Sequence, residues 1–517
     1  MRLFENFKAM VGGKRGADAL IADDLRVMKQ SRVSREGIQK TKDELQRLQN
    51  FGTQNVTRPF LDRSPYARTL YRVAQSAGAT IFVLAIFGGG WVYYADRTPD
   101  IKPTRQVLPS LNGYDALILA TRSLPSEKEC EAWFRKDTLK DEADEKRWGV
   151  KHIISHRDGV EAGEEAFLEK CESAFQQMWK SMLTSEFVIP YSGRLDVLMP
   201  ELHSFQTMAK LLLLKARHLE KQNKFEESRE TYLQTLLFLN RLGNAGTLTH
   251  FYVSANLQAK TVEALSHLLP YLSEKTKTQL CGDALPVVVS VPLSLTLVLI
   301  QEEEGTLKAL FDLFARPDWR SEFRRLLRTQ FGTYLDPGTQ QDDFATKIAL
   351  YTVNKKWAIS NYKKYMAEAS RRAASLDSWK LDDPDLPYDL IVRWVAPLIK
   401  PALFANTRLL AQKHLLLCAY YLKAYYATNG KYPDQLKNCT TDALVLSDPF
   451  TDSSATPQML RYKRVGKGYL LYSVGPDGKD DGGKPVANPK THKLQTASQV
   501  TPESVGDIVF DSERKSR

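Results

Sequence analysis

The chain is 517 residues long, with 72 Lys and Arg against 61 Asp and Glu, a formal charge of +11 and the composition of an ordinary globular protein. Its length exceeds what one hydrophobic core usually supports, so two or three folded units are expected. The charge is uneven: residues 1–72 hold fifteen Lys and Arg against eight Asp and Glu, and the rest is nearly balanced. With no nucleic-acid module in the sequence, this excess argues against a nucleic-acid partner and for membrane topology.

Residues 1–72 read as a basic cytoplasmic tail. Within it a helical stretch, about Ala17 to Asn50, places Ile38, Leu45 and Leu48 at heptad-like spacing. That is too short to specify a coiled coil, and lying on anionic lipid, self-pairing and a solvated tail all remain open. From Val73 to Ala95 no residue is charged, and the run is bracketed by Arg68 and Arg72 before it and by Asp96 and Arg97 after it. About 20 apolar residues cross a bilayer core of about 30 Å, so residues 73–95 are predicted to form one transmembrane helix. Trp91, Tyr93 and Tyr94 stand where an interfacial aromatic belt would lie. The charge asymmetry predicts a single-pass protein of the inner (cytoplasmic) membrane, with its N-terminus in the cytoplasm and the bulk of the chain periplasmic.

Residues 96–112, with Pro99, Pro103 and Pro109, read as a linker, and residues 113–403 as a helical domain. Here His152 and His156 are four apart, followed by Glu161, Glu164 and Glu165. No HExxH accompanies them, and solvated histidines explain the pattern better than a metal site. Leu211–Leu219, Asn223–Ser228 and Tyr232–Leu237 read as helix, tight turn and helix, a spacing that resembles a tetratricopeptide-type hairpin. The uncharged run Ala284–Ile300 contains Pro286 and Pro292, so it reads as a buried loop plus helix, too short for a span. Glu302, Glu303 and Glu304 after it read as a charged helix start, with acid/base chemistry as the sharper alternative. Asp382, Asp383 and Asp385 around Pro384 read as an acidic turn. Tyr362, Tyr365, Trp379 and Trp394 fit a helical core.

The last part changes character. A long helix, about Phe404 to Thr428, stops at Asn429-Gly430, a helix C-cap signal. Leu460–Val465 and Tyr469–Val474 flank Gly466-Lys467-Gly468 and predict a β-hairpin. Residues 404–485 are thus expected to form a small α+β module, and residues 486–517, which are polar, a flexible tail. The predicted fold class is mainly α: one transmembrane helix, a helical middle region and this module. The five cysteines, Cys130, Cys171, Cys281, Cys418 and Cys439, are never in a CxxC pair and read as mostly buried thiols.

In the module the residues become specific. Tyr425–Pro433 (YYATNGKYP), Asp448-Pro449-Phe450, Leu460-Arg461-Tyr462 and Tyr469–Gly478 (YLLYSVGPDG) together resemble the C-terminal half of the major pseudopilins of type II secretion. In those proteins a long helix runs into "NGxYP", a "DPW/F" loop and a strand ending "YSxGxDG". The likeness covers roughly 80 residues, by the element spacing on which such comparisons rest. It departs from the family at residues 73–94, which carry nothing like the pseudopilin "GFTLIE" helix, so assembly into a pilus is not implied. The whole layout resembles uncharacterised envelope proteins of planctomycete-type bacteria. Pseudopilins of this kind bind Ca²⁺ near the corresponding loop, which here carries Asp477, Asp480 and Asp481. Ca²⁺ takes oxygen ligands in flexible geometry, so these three are candidate calcium ligands, with an Asp-Gly surface turn as the plainer reading. No other cofactor is implied.

No Walker A loop, GxSxG, Rossmann glycine pattern or supported Cys–His pair is present. The expected function is therefore that of a membrane-anchored envelope protein with a non-enzymatic, protein-binding or structural role, linked to secretion or envelope assembly. The lipid bilayer and an envelope protein are its expected partners. The alternative is an anchored periplasmic hydrolase with a dispersed site, drawing on His250 or Glu302 to Glu304.

Overall fold

A computed structural model of the chain describes residues 90–91, 94–97, 106–134, 163–191, 195, 199–276, 283–331, 350–375, 378–387, 389–451 and 458–511. The predicted tail, most of the predicted span, His152, His156, Glu161 and Cys281 lie outside these residues. Among them no single helix is long and apolar enough to cross a membrane. By its contacts the chain divides into two units, residues 1–99 with 338–358, and residues 100–337 with 359–517.

The described part of the larger unit is mainly helical with one small sheet. It opens with α1 (Gly113–Arg122) and α2 (Glu164–Met182), which pack together. Asn112 caps α1, its side chain accepting the Tyr114 N–H at 3.1 Å. Next come α3 (Pro200–Lys221), α4 (Phe225–Ala245) and α5 (Leu248–Leu268), each lying against the one before it. Proline fits the first turn of α3, where its missing N–H has no helical partner. The tight turn predicted at Asn223 is made by that residue's left-handed backbone, φ 59°, with the Lys224 N–H returning to the Leu219 carbonyl at 2.9 Å.

Between α4 and α5 the helices approach closely because position 243 is glycine. A Cβ there would lie 2.6 Å from the Ser254 hydroxyl, so any side chain would push α5 away. The contact buries Phe238, Leu239, Leu242, Phe251 and Ala255 completely, and each large side chain so buried stabilises the fold by about 1.5–3 kcal/mol.

The Ala284–Ile300 run forms α6 (Ala284–Ser290) and the start of α7 (Leu295–Phe314), bent by 49° at the break that contains Pro292. Leu285, Val289, Leu295, Val298 and Leu299 are buried in the fold. One expectation is corrected here: Glu302 to Glu304 lie in the middle of α7, not at a helix start. The start is set by Ser294, whose hydroxyl accepts the Leu297 N–H. Then follow α8 (Trp319–Phe331), α9 (Lys355–Ala373) and α10 (Leu390–Val395); Tyr362 and Tyr365 are in the core as expected, Trp379 and Trp394 are only half-buried, and Trp319 and Phe323 are buried as well.

α11 (Lys400–Asn429) organises the rest. Its 30 residues span about 45 Å. It ends as predicted, at Gly430, where φ is +67° and the N–H returns to the Tyr426 carbonyl at 2.8 Å. It is buried nearly all round, Leu403, Leu409, Leu415, Leu416, Leu417 and Leu422 included, so it lies inside the fold. One side meets α5, α6 and α7; another meets α12 (Ala443–Leu446) and the sheet. The expected boundary at 403/404 therefore falls within one continuous helix that both regions share.

The sheet contains β1 (Arg461–Val465), β2 (Gly468–Ser473) and β3 (Ile508–Asp511), antiparallel in that order. Val465 pairs with Gly468 across a two-residue turn whose first residue, Gly466, has φ +55°, the conformation that matches hairpin twist. The predicted hairpin is present, and β3 was not foreseen. The expectation of a flexible tail from 486 onward is corrected through residue 511. Val486, Val500, Ile508 and Phe510 are buried, Ala487 bridges to Leu494 and Val505, and Ser473 to Leu470 pair with residues 508–511. Four well-spaced apolar anchors order a segment whose bulk composition is polar.

Candidate functional site

The buried polar groups of the larger unit are most concentrated on α11 and its neighbours. Arg408, Lys413 and His414 are all buried on this helix. Each meets a backbone carbonyl. Arg408 Nη1 donates to Val500 at 2.9 Å, Lys413 Nζ donates to Val291 at 2.7 Å, and His414 Nδ1 lies 2.8 Å from the Ser447 carbonyl. Lower down, Lys423 Nζ donates to the carbonyls of Leu269 and Leu272 at 2.8 and 2.6 Å. Burial lowers the Lys413 ammonium to about 8 and the Arg408 guanidinium to about 10. Cationic side chains suit these places because carbonyls left over at helix ends and loops need donors.

The strongest ionic hub is Asp283. As N-cap of α6 it accepts the Leu285 N–H at 3.0 Å. It also takes Arg229 at 3.1 Å, Lys275 at 2.5 Å and the Tyr420 hydroxyl at 2.6 Å. Burial works against the charge, but the Leu285 N–H, Lys275, Tyr420 and Arg229 outweigh it and hold the carboxyl well below the usual carboxylate range. An open cleft of about 380 Å³ lies at the α3–α4 turn, lined by Asn223, Phe225, Glu226, Tyr271 and Ser273. Within it the Ser273 hydroxyl donates to Glu226 at 2.7 Å.

The two candidates for acid/base chemistry do come together, at the N-terminus of α5. Glu302 Oε2 accepts the Leu248 N–H at 2.9 Å, and His250 Nδ1 accepts the Thr247 N–H at 3.3 Å in a capping box. Burial pushes the imidazole down to about 4 and the Glu302 carboxyl above its ordinary range. His250 is therefore neutral, with its proton on Nε2, and that atom has no hydrogen-bond partner. Both groups cap a helix, which is a structural task. Of the acids named near His152, Glu165 is exposed, while Glu164 is buried and pairs with Lys221 at 3.2 Å, and His218 Nδ1 lies 3.6 Å from it.

Glu220 is the buried acid that sequence patterning missed. It accepts from the Tyr232 hydroxyl at 2.7 Å and from Ser228 at 3.2 Å, yet burial pushes its carboxyl up to about 7. A carboxyl raised in the folded state binds a proton that the unfolded chain has already lost. Its folded form is therefore favoured below the unfolded value of about 4.3 and is penalised as pH rises through about 7. Glu220→Gln is expected to shrink the loss of unfolding free energy between about pH 5 and about pH 8 by about 2 kcal/mol, read by denaturant titration at both pH values.

In the C-terminal loop the three candidate calcium ligands hold the chain together. Asp477 accepts the Lys479 and Gly506 N–H groups at 3.1 and 3.0 Å. Asp480 accepts from the Tyr472 hydroxyl and Arg461 Nε, both at 2.8 Å, and from the Gly482 N–H at 3.1 Å. Asp481 contributes its N–H to Asp507 at 3.4 Å. Asp507, fully buried and also bound to the Gly483 N–H at 2.7 Å, is pushed up to about 6, first by burial and then by Asp480 and Asp481 nearby. Among the described residues no three acidic, His or Cys groups gather as metal ligands. A cation at Asp480 would compete with the Arg461 guanidinium already there. Asp507 lies 26 residues beyond Asp481 and belongs to the same loop cluster only through the return of β3.

No protein-family model, curated protein or solved structure matches this chain.

Proposed function

We propose that this chain is a membrane-anchored envelope protein with a structural or protein-binding role, and that its C-terminal module is pseudopilin-like in design. The observation that carries the reading is the uncharged run Val73–Ala95 immediately after a segment with fifteen Lys and Arg against eight Asp and Glu. The non-enzymatic side is supported by the tasks of the buried polar groups. Asp283, Arg408, Lys413 and Glu302 each tie one element to another, and His250 caps its own helix. The order of long helix, Asn-Gly stop, Asp448-Pro-Phe loop and strand pair supports the pseudopilin likeness. The antiparallel pair α3–α4 supports the tetratricopeptide-like comparison for the hairpin alone.

Protease added outside intact spheroplasts tests the topology. The expected result is digestion of residues 96–517 with the N-terminal tail protected. Survival of that region in intact spheroplasts, with digestion once they are opened, overturns the orientation and the role that depends on it.

A further inference from the structure

The smaller unit joins two stretches that are far apart in sequence. Ala95, Leu350 and Val353 are buried in it, Asp96 lies 3.8 Å from Lys355, and Asn354 caps the start of α9 by accepting the Trp357 N–H at 3.1 Å. Four of its described aromatic residues are exposed. Trp91, Tyr94, Tyr351 and Trp357 are 38, 49, 55 and 53% exposed. The Trp91 and Trp357 rings meet edge to face with centroids 5.5 Å apart, and Tyr94 lies 6.5 Å from Trp91.

Single exposed rings are ordinary, but three that meet one another from two distant stretches, with exposed Tyr351 on the second stretch, mark a contact surface. Two features identify what it contacts. Trp91 and Tyr94 belong to the outer end of the uncharged run Val73–Ala95, the place where a spanning helix leaves the hydrocarbon. Trp and Tyr combine an apolar ring with one polar donor, which suits the headgroup layer, half apolar and half wet. Lys355 is buried against Asp96, and Lys356, part-exposed beside Trp357, adds the positive charge that draws a segment toward anionic lipid.

The geometry points to a second membrane contact: residues 350–357 sit at the phospholipid headgroup level, Tyr351 and Trp357 joining Trp91 and Tyr94 in one aromatic belt. This rests on the anchored reading above. It adds that the chain returns to the bilayer surface long after leaving it, which fixes the start of α9 against the membrane.

The test uses the full chain reconstituted into vesicles of phosphatidylcholine and phosphatidylglycerol doped with a phospholipid that carries a diazirine beside its headgroup. After illumination, adducts are mapped by peptide mass spectrometry. The expected result is adducts on residues 350–358 as well as on residues 90–97, with a several-fold drop at 350–358 in Trp357→Ser and no change at 90–97. Adducts on 73–97 with none on 350–358 overturn the second contact and leave the anchor standing. Adducts on neither stretch overturn both readings. Unchanged labelling of 350–358 in Trp357→Ser overturns the role given to that ring.

Discussion

Replacing Asp283 with alanine is expected to destabilise the protein by about 3–5 kcal/mol, because it strips one carboxylate from three partners at once. Arg229 and Lys275 would lose their counter-charge, the Tyr420 hydroxyl its acceptor inside the core, and α6 its N-cap. Loss of a cap alone costs about 1 kcal/mol, so most of the effect comes from the uncompensated charges and the buried hydroxyl. Asp283→Asn keeps an acceptor for the Leu285 N–H and is expected to fall between the two. The pH dependence carries the sign of a depressed carboxyl. The contribution is complete above the unfolded value of about 3.9 and is lost as pH falls below it toward the lower folded value. Asp283→Asn should therefore be nearly as stable as the unaltered protein in strong acid and clearly less stable near neutrality. Denaturant midpoints measured across that range check both statements. Equal midpoints at neutral pH would remove Asp283 as the tie between α4, α6 and α11.

Features closed within a few residues were legible from the sequence. The Asn429-Gly430 stop, the Asn223 turn and the Gly466 hairpin each follow from one residue whose backbone can adopt the required angle. The proline at 292 likewise divided the Ala284–Ile300 run. What the sequence hid are contacts made across long separations. The residues that grip carbonyls or carboxylates from α11 reach partners 92, 122 and 137 positions away at Val500, Val291 and Asp283. On a helical wheel Arg408 and Lys413 look like solvent-facing positions, and only the elements stacked on every side of α11 make them buried. The acidic loop is a further case. The spacing of Asp477, Asp480 and Asp481 was plain, whereas Arg461 on β1 and Asp507 beside β3, which decide how those carboxylates are used, arrive from elsewhere in the fold.

Arg408→Met is expected to cost about 3–5 kcal/mol and, more tellingly, to release one segment first. The guanidinium bridges α11 to the Val500 carbonyl and to Asn256 on α5, both at 2.9 Å, and it lies close enough to buried Glu263 for that carboxylate to support its charge. Glu263 in turn accepts the Ser498 N–H at 3.3 Å. Methionine comes close to the volume of the side chain but takes one positive neighbour from buried Glu263 and leaves Val500 without its donor. Lysine should rescue poorly, since one ammonium cannot span two acceptors that a planar fork reaches together. The segment from 485 to 511 is held on α5 and α11 around residues 497–500, so its amides should gain exchange with solvent before those of α5 or α11. Hydrogen exchange read by mass spectrometry distinguishes this from general loosening. Uniform loss of protection in Arg408→Met would mean the residue only fills space. Early exchange confined to 485–511 is the signature of a clamp that holds β3 onto the sheet and the polar C-terminal segment onto the helical core.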